Sequence, residues 1–71
     1  MNKKNKKKLE ERMEQCGVSK KQAYQRLHIS RSAFYRKMNG LSEFTLKEIR
    51  ELMFMLDLDD ADEIFFDKKV S

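Results

Sequence analysis

The feature that most constrains this chain is a pair of short helical segments, each opened by a serine and set about three residues apart. Ser19 precedes Lys20-Lys21-Gln22-Ala23-Tyr24-Gln25-Arg26-Leu27, and Ser30 precedes Arg31-Ser32-Ala33-Phe34-Tyr35-Arg36-Lys37-Met38-Asn39. A serine hydroxyl ahead of a helical run accepts from an amide that the first turn leaves without a partner, so each serine marks a helix start. Ala23 and Leu27 give the first segment an inward stripe, and Ala33, Phe34 and Met38 give the second its own. Helices of about nine residues are too short to hold alone in water. They must brace each other, and so short a linker forces a steep crossing that leaves the second helix with one exposed face.

The rest of the chain supplies what such a pair needs to pack against. Leu9, Met13 and Cys16 trace one face of a preceding helix, with Gly17 as its stop. Asn39-Gly40 ends the second member of the pair, and Leu41 and Phe44 are expected to tuck beneath the domain. Thr45-Leu46-Lys47-Glu48 has the form of a capping box, after which Leu46, Ile49, Leu52, Met53 and Leu56 mark a fourth helix. Asp57-Leu58-Asp59 breaks it, and Asp59 or Asp60 is placed to cap a fifth helix through Ile64, Phe65 and Phe66. With no proline and only two glycines, strands and hairpins have little support, so an all-α fold is expected. The 71 residues make one domain over 9–66, preceded by a basic N-terminal arm at 1–8 that can in part join the first helix, and followed by a tail at 67–71.

Charge is segregated along the chain. Residues 1–40 carry 12 basic and 3 acidic side chains, a net of +9, whereas residues 41–71 carry 4 basic and 9 acidic, a net of −5. Between Val18 and Asn39 stand Lys20, Lys21, Arg26, Arg31, Arg36 and Lys37 and no acid at all. A solvated surface would intersperse the signs; a block of one sign on a helical pair is the footprint of a protein that meets a polyanion.

The run Ser19 to Gly40, and most closely Ile29-Ser30-Arg31-Ser32-Ala33-Phe34-Tyr35-Arg36-Lys37-Met38-Asn39-Gly40, resembles the helix-turn-helix of the phage Cro and repressor (Xre-type) family. Ser42-Glu43-Phe44-Thr45-Leu46-Lys47-Glu48-Ile49 looks like that family's link into its fourth helix, and Ile64-Phe65-Phe66 is similar to the ending of small phage-encoded Cro-like regulators. The resemblance covers about Leu9 to Phe66. It implies a five-helix, lambda-repressor-like DNA-binding domain in a sequence-specific transcriptional regulator, a repressor by preference, with the second helix of the pair in the major groove. Carried over by position, Arg31, Ser32, Tyr35 and Arg36 face the bases, and Ser19, Lys20, Lys21, Lys37, Asn39 and Ser42 meet phosphates. The family usually pairs into two-fold dimers. Phe54, Met55 and Phe66 exceed what the core stripe needs and form the expected dimer surface, with half-sites about 34 Å apart on double-stranded DNA.

Two residues depart from the family pattern. Tyr24 stands where a small residue is usual, with Ala23 beside it as the compensating small side chain, and His28 stands at a turn position where glycine is usual. His28 is therefore expected at positive φ, which histidine tolerates better than most residues.

Other functions fit less well. One histidine, one cysteine, no glycine-rich phosphate loop and no carboxylate pair give an enzyme nothing to work with, and no cofactor is expected. Asp59, Asp60, Asp62 and Glu63 lack the glycine and spacing of a calcium loop and read as helix-capping acids, so no metal is expected either. A single thiol, no secretion signal and no apolar run near 18 residues lead to an expected cytoplasmic location without a membrane partner. The alternatives are an RNA-binding protein, which would display stacking aromatics where this chain uses most of them as core, and a protein-binding module such as an antitoxin or antirepressor acting through the Phe54 and Phe66 side.

Overall fold

The computed structural model describes residues 3–59 and Ile64, and in that span the chain is all-helical, with no strand. The helices are α1 (Lys3–Gln15), α2 (Lys20–Arg26), α3 (Arg31–Met38) and α4 (Leu46–Met55). The expected fifth helix and the tail at 67–71 lie outside the described residues, save Ile64, which is buried with the core.

Each start after α1 is capped as the sequence indicates. Ser19, Ser30 and Thr45 hold extended backbone, and their hydroxyls accept from the amides of Gln22, Ala33 and Glu48. Gln22 and Glu48 each reach back to the cap amide, so α2 has a full capping box as well as α4. All four helices end in one motif, in which a residue at positive φ turns the chain and its own amide and the next one bond back into the last turn. The turning residues are Gly17 (φ 67°), His28 (φ 58°), Gly40 (φ 81°) and Asp57 (φ 52°). The return bonds are Val18 to Met13, Ile29 to Tyr24, Leu41 to Arg36 and Leu58 to Met53. His28 adopts the conformation expected of it; Asp57 does the same where the sequence indicated only a break.

The core joins all four helices through Leu9, Met13, Ala23, Leu27, Phe34, Met38, Leu52, Leu56 and Ile64. Phe34 is fully buried at its centre, with the rings of Tyr24 and Phe44 at 6.2 and 6.1 Å. Ala23 is fully buried while Tyr24 packs half-exposed at the edge, which is the volume exchange expected of that pair. Arg12 fastens α1 to the end of α4 by donating from Nε to the Leu56 carbonyl at 2.8 Å and from Nη2 to the Asp57 carbonyl at 3.1 Å.

α1 begins at Lys3, so the arm joins the first helix over most of its length: lysine is a good helix former, and Asn5 extends the Leu9–Met13 stripe inward by one turn, itself only 6% exposed. Other expectations are corrected. Leu41 does not tuck under; it is 73% exposed. Leu46 is 62% exposed, because the core meets α4 only from Glu48 onward and the first residues of the helix stand beyond it. Ala33 and Met53 are half-buried at the margins rather than in the centre.

Candidate nucleic-acid interface

The orientation of α3 follows from two buried side chains. Phe34 and Met38, four apart, fill the core, so the opposite surface of the helix is turned to solvent. Ser32 and Arg36, four apart, lie on that surface and are exposed; Arg31, three residues before Phe34, is exposed in the first turn, and Tyr35 is half-buried. The Ser30 cap fixes where the helix starts and so puts Arg31 in its first turn.

Tyr35 joins α3 to α2. The Arg31 guanidinium lies 5.4 Å from the centre of its ring and the Lys20 ammonium 5.5 Å, so one ring faces two cations, one from the first turn of each helix. Such a contact restricts the rotamers of Arg31 and brings the amino ends of α2 and α3 to one side. Tyr35 therefore serves as a platform for Arg31 in addition to any contact of its own.

The remaining residues expected at phosphates fall into two groups. Lys21 is exposed and has no carboxylate partner among the described residues, as is true of Arg31 and Arg36. Ser19, which caps α2, and Asn39 are exposed, and Ser42 is half-buried. Lys20 instead pairs with Glu10 of α1 at 2.8 Å; that hydrogen bond raises the ammonium pKa against a smaller opposing effect of burial. Lys37 is drawn inward. Its ammonium contacts both Glu48 carboxylate oxygens at 2.6 and 2.7 Å, with the two side chains only 14% and 11% exposed. Burial by itself would raise the Glu48 carboxyl, but the Lys37 ammonium and the Thr45 amide outweigh it and hold the pKa below the ordinary carboxylate value. Lys37 thus fastens α3 to α4 and is not presented to a phosphate.

The expected dimer residues also separate. Phe54 projects into solvent at 78% exposure, whereas Met55 packs half-buried against the core, and Phe66 lies outside the described residues. Leu41 and Leu46 join Phe54 as exposed large apolar side chains.

No family model, curated protein or solved structure matches this chain.

Three contributors were missed from sequence. Glu10 is the resident anion at Lys20, Glu48 is the anchor of Lys37, and Lys6 of α1 donates to the Asn39 side-chain carbonyl at 2.7 Å across 33 residues. Only Glu48 carried a signal, as the third residue of a capping box; nothing in the linear sequence pairs the other two. Among the described residues no helix is long and apolar enough to cross a membrane, and no group of three or more His, Cys, Asp or Glu side chains is placed to hold a metal.

Proposed function

We propose that the chain is a sequence-specific regulator that binds double-stranded DNA, with α2 and α3 acting as a helix-turn-helix and α3 entering the major groove. One observation carries this reading: α3 exposes Arg31 in its first turn and Ser32 and Arg36 on its outward side, with neither arginine neutralised by a carboxylate among the described residues. A two-turn helix is about 12 Å long and fits a groove about 12 Å wide. Arg31, steadied by Tyr35, offers a planar fork suited to guanine O6 and N7. Arg36, exposed one turn further along, reads a neighbouring base or clamps a phosphate, and Ser32 between them donates or accepts. Lys21, Ser19 at the start of α2, and Asn39 at the end of α3 set the register on the backbone. The resemblance to Cro and repressor helix-turn-helices supports the same assignment, with a repressor of phage or mobile-element type as its natural form and a two-fold homodimer as its binding unit.

Leu41, Leu46 and Phe54, each an exposed large apolar side chain, favour a protein-binding module as the second reading. Selection of bound duplexes from a random pool at about 0.1 M salt, inside the range where phosphate contacts still dominate, separates the two. Enrichment of one motif, repeated in inverted orientation about one helical turn apart, is the expected result. A pool that stays random, with the protein bound to no duplex even at low salt, would refute the DNA reading and leave the apolar surface as the functional one.

A further inference from the structure

The lysine-rich start of α1 is a structured face, not a loose arm. Lys3, Lys4, Lys6, Lys7 and Lys8 fall within the first two turns of the helix, and that first turn contains no acid. Positive charge there opposes the helix macrodipole and the lysines repel one another, so the placement works against α1 in the isolated protein. It is nevertheless held: Asn5 and Leu9 bury one side, and Lys6 reaches the carboxamide of Asn39 at 2.7 Å. That bond sets the second turn of α1 beside the carboxyl end of α3. Lys3, Lys4 and Lys7 remain exposed, with no ion pair among the described residues. Because an ammonium can only donate, Asn39 meets Lys6 with its oxygen, which leaves its NH2 as a further donor beside the lysines.

From this juxtaposition we propose that the amino-terminal half of α1 is a second phosphate-binding face, continuous with the end of α3, that grips the duplex backbone beyond the bases α3 reads. The occupant is the phosphodiester backbone of double-stranded DNA. The inference rests on the DNA-binding reading above but assigns a separate set of residues and a separate property: affinity without sequence preference. Phosphates near these lysines offset both the repulsion and the dipole penalty, so binding and the helicity of α1 support each other.

The test uses the full chain with Lys3, Lys4 and Lys7 changed together to Gln, which keeps helix propensity and removes the charge; K7Q alone is a milder second variant. Dissociation constants are measured against salt on a selected duplex and on a scrambled duplex of equal length, with R31A alongside. The expected result is that the triple variant weakens on both duplexes by the same factor and lowers the salt slope by about 2 to 3 units, with K7Q lowering it by about 0.9. Slopes and affinities equal to wild type would overturn the proposal. So would a loss seen only on single-stranded RNA or on anionic phosphatidylserine vesicles. The DNA reading fails by a different sign, namely the wild-type chain binding neither duplex even at low salt.

Discussion

α3 and α4 are short helices of similar length that use charge in opposite ways. Acids of α4 reach back to the helical pair: Glu48 to Lys37 at 2.6 Å and Glu51 to Arg26 at 3.2 Å. The outward surface of α3 has no such partner, and Arg31 rests on an aromatic ring instead of a carboxylate. The comparison shows that a count of basic residues on a segment overstates its capacity for a polyanion. Between Val18 and Asn39 there are six cations, but Lys37, Arg26 and Lys20 are tied to acids of α4 or α1. Those paired cations hold the helices to one another; the unpaired ones are what a duplex would meet. The outer surfaces differ in kind too, since α4 exposes Leu46 and Phe54 where α3 exposes arginines.

The contrast can be tested from both sides. The largest effect is expected for Arg31→Ala, which should cost about 1–3 kcal/mol of discrimination between selected and scrambled duplexes while leaving thermal stability nearly unchanged; equal losses on both duplexes would reduce Arg31 to a phosphate contact. Glu48→Gln should do the converse, lowering stability by about 1–2 kcal/mol through the half-buried Lys37. The pH dependence has a definite sign. The folded-state pKa of Glu48 is depressed, so its contribution is present above the unfolded value and is lost as pH falls through the folded one. Wild type and the variant should therefore differ fully at pH 7 and converge in acid below the ordinary glutamate range. Denaturant titrations at several pH values measure this, and a gap that persists in acid would dissociate the loss from the ion pair.

His28→Gly comes next. A left-handed residue with a Cβ is strained, and glycine removes the strain at some entropic cost to the folded chain, for a net gain of about 0.5–1 kcal/mol; a fall in melting temperature would show that the imidazole contributes something else. Smallest is Glu10→Gln, which releases Lys20 from its resident anion. The salt slope on any duplex should steepen by up to about 0.9 units with discrimination unchanged. A slope equal to wild type would mean that Lys20 stays on Tyr35 and never meets a phosphate.

The local grammar of this chain was legible without coordinates. The serine and threonine caps and the stops at Gly17 and Gly40 depend on bonds spanning three to five residues, and residue type is enough to specify those; the inward places of Phe34 and Met38 follow from apolar spacing, and the positive φ of His28 from the resemblance alone. The outward surface of α3 was legible from helical periodicity, which puts Ser32 and Arg36 opposite the buried pair; Arg31, in register with Phe34, is exposed in the first turn.

What tertiary structure alone decided is which charges remain unpaired and where the core stops. Lys6 meets Asn39, Lys20 meets Glu10 and Arg12 meets the end of α4 only because the helices cross as they do. Leu46, apolar and in register with buried Ile49, and Leu41 in the link before α4 are exposed because the core ends before it reaches them. Apolar pattern names the side of a helix that can be buried; the crossing of its neighbours sets how much of that side is covered, and an ion pair forms only where two flexible side chains are brought within about 4 Å.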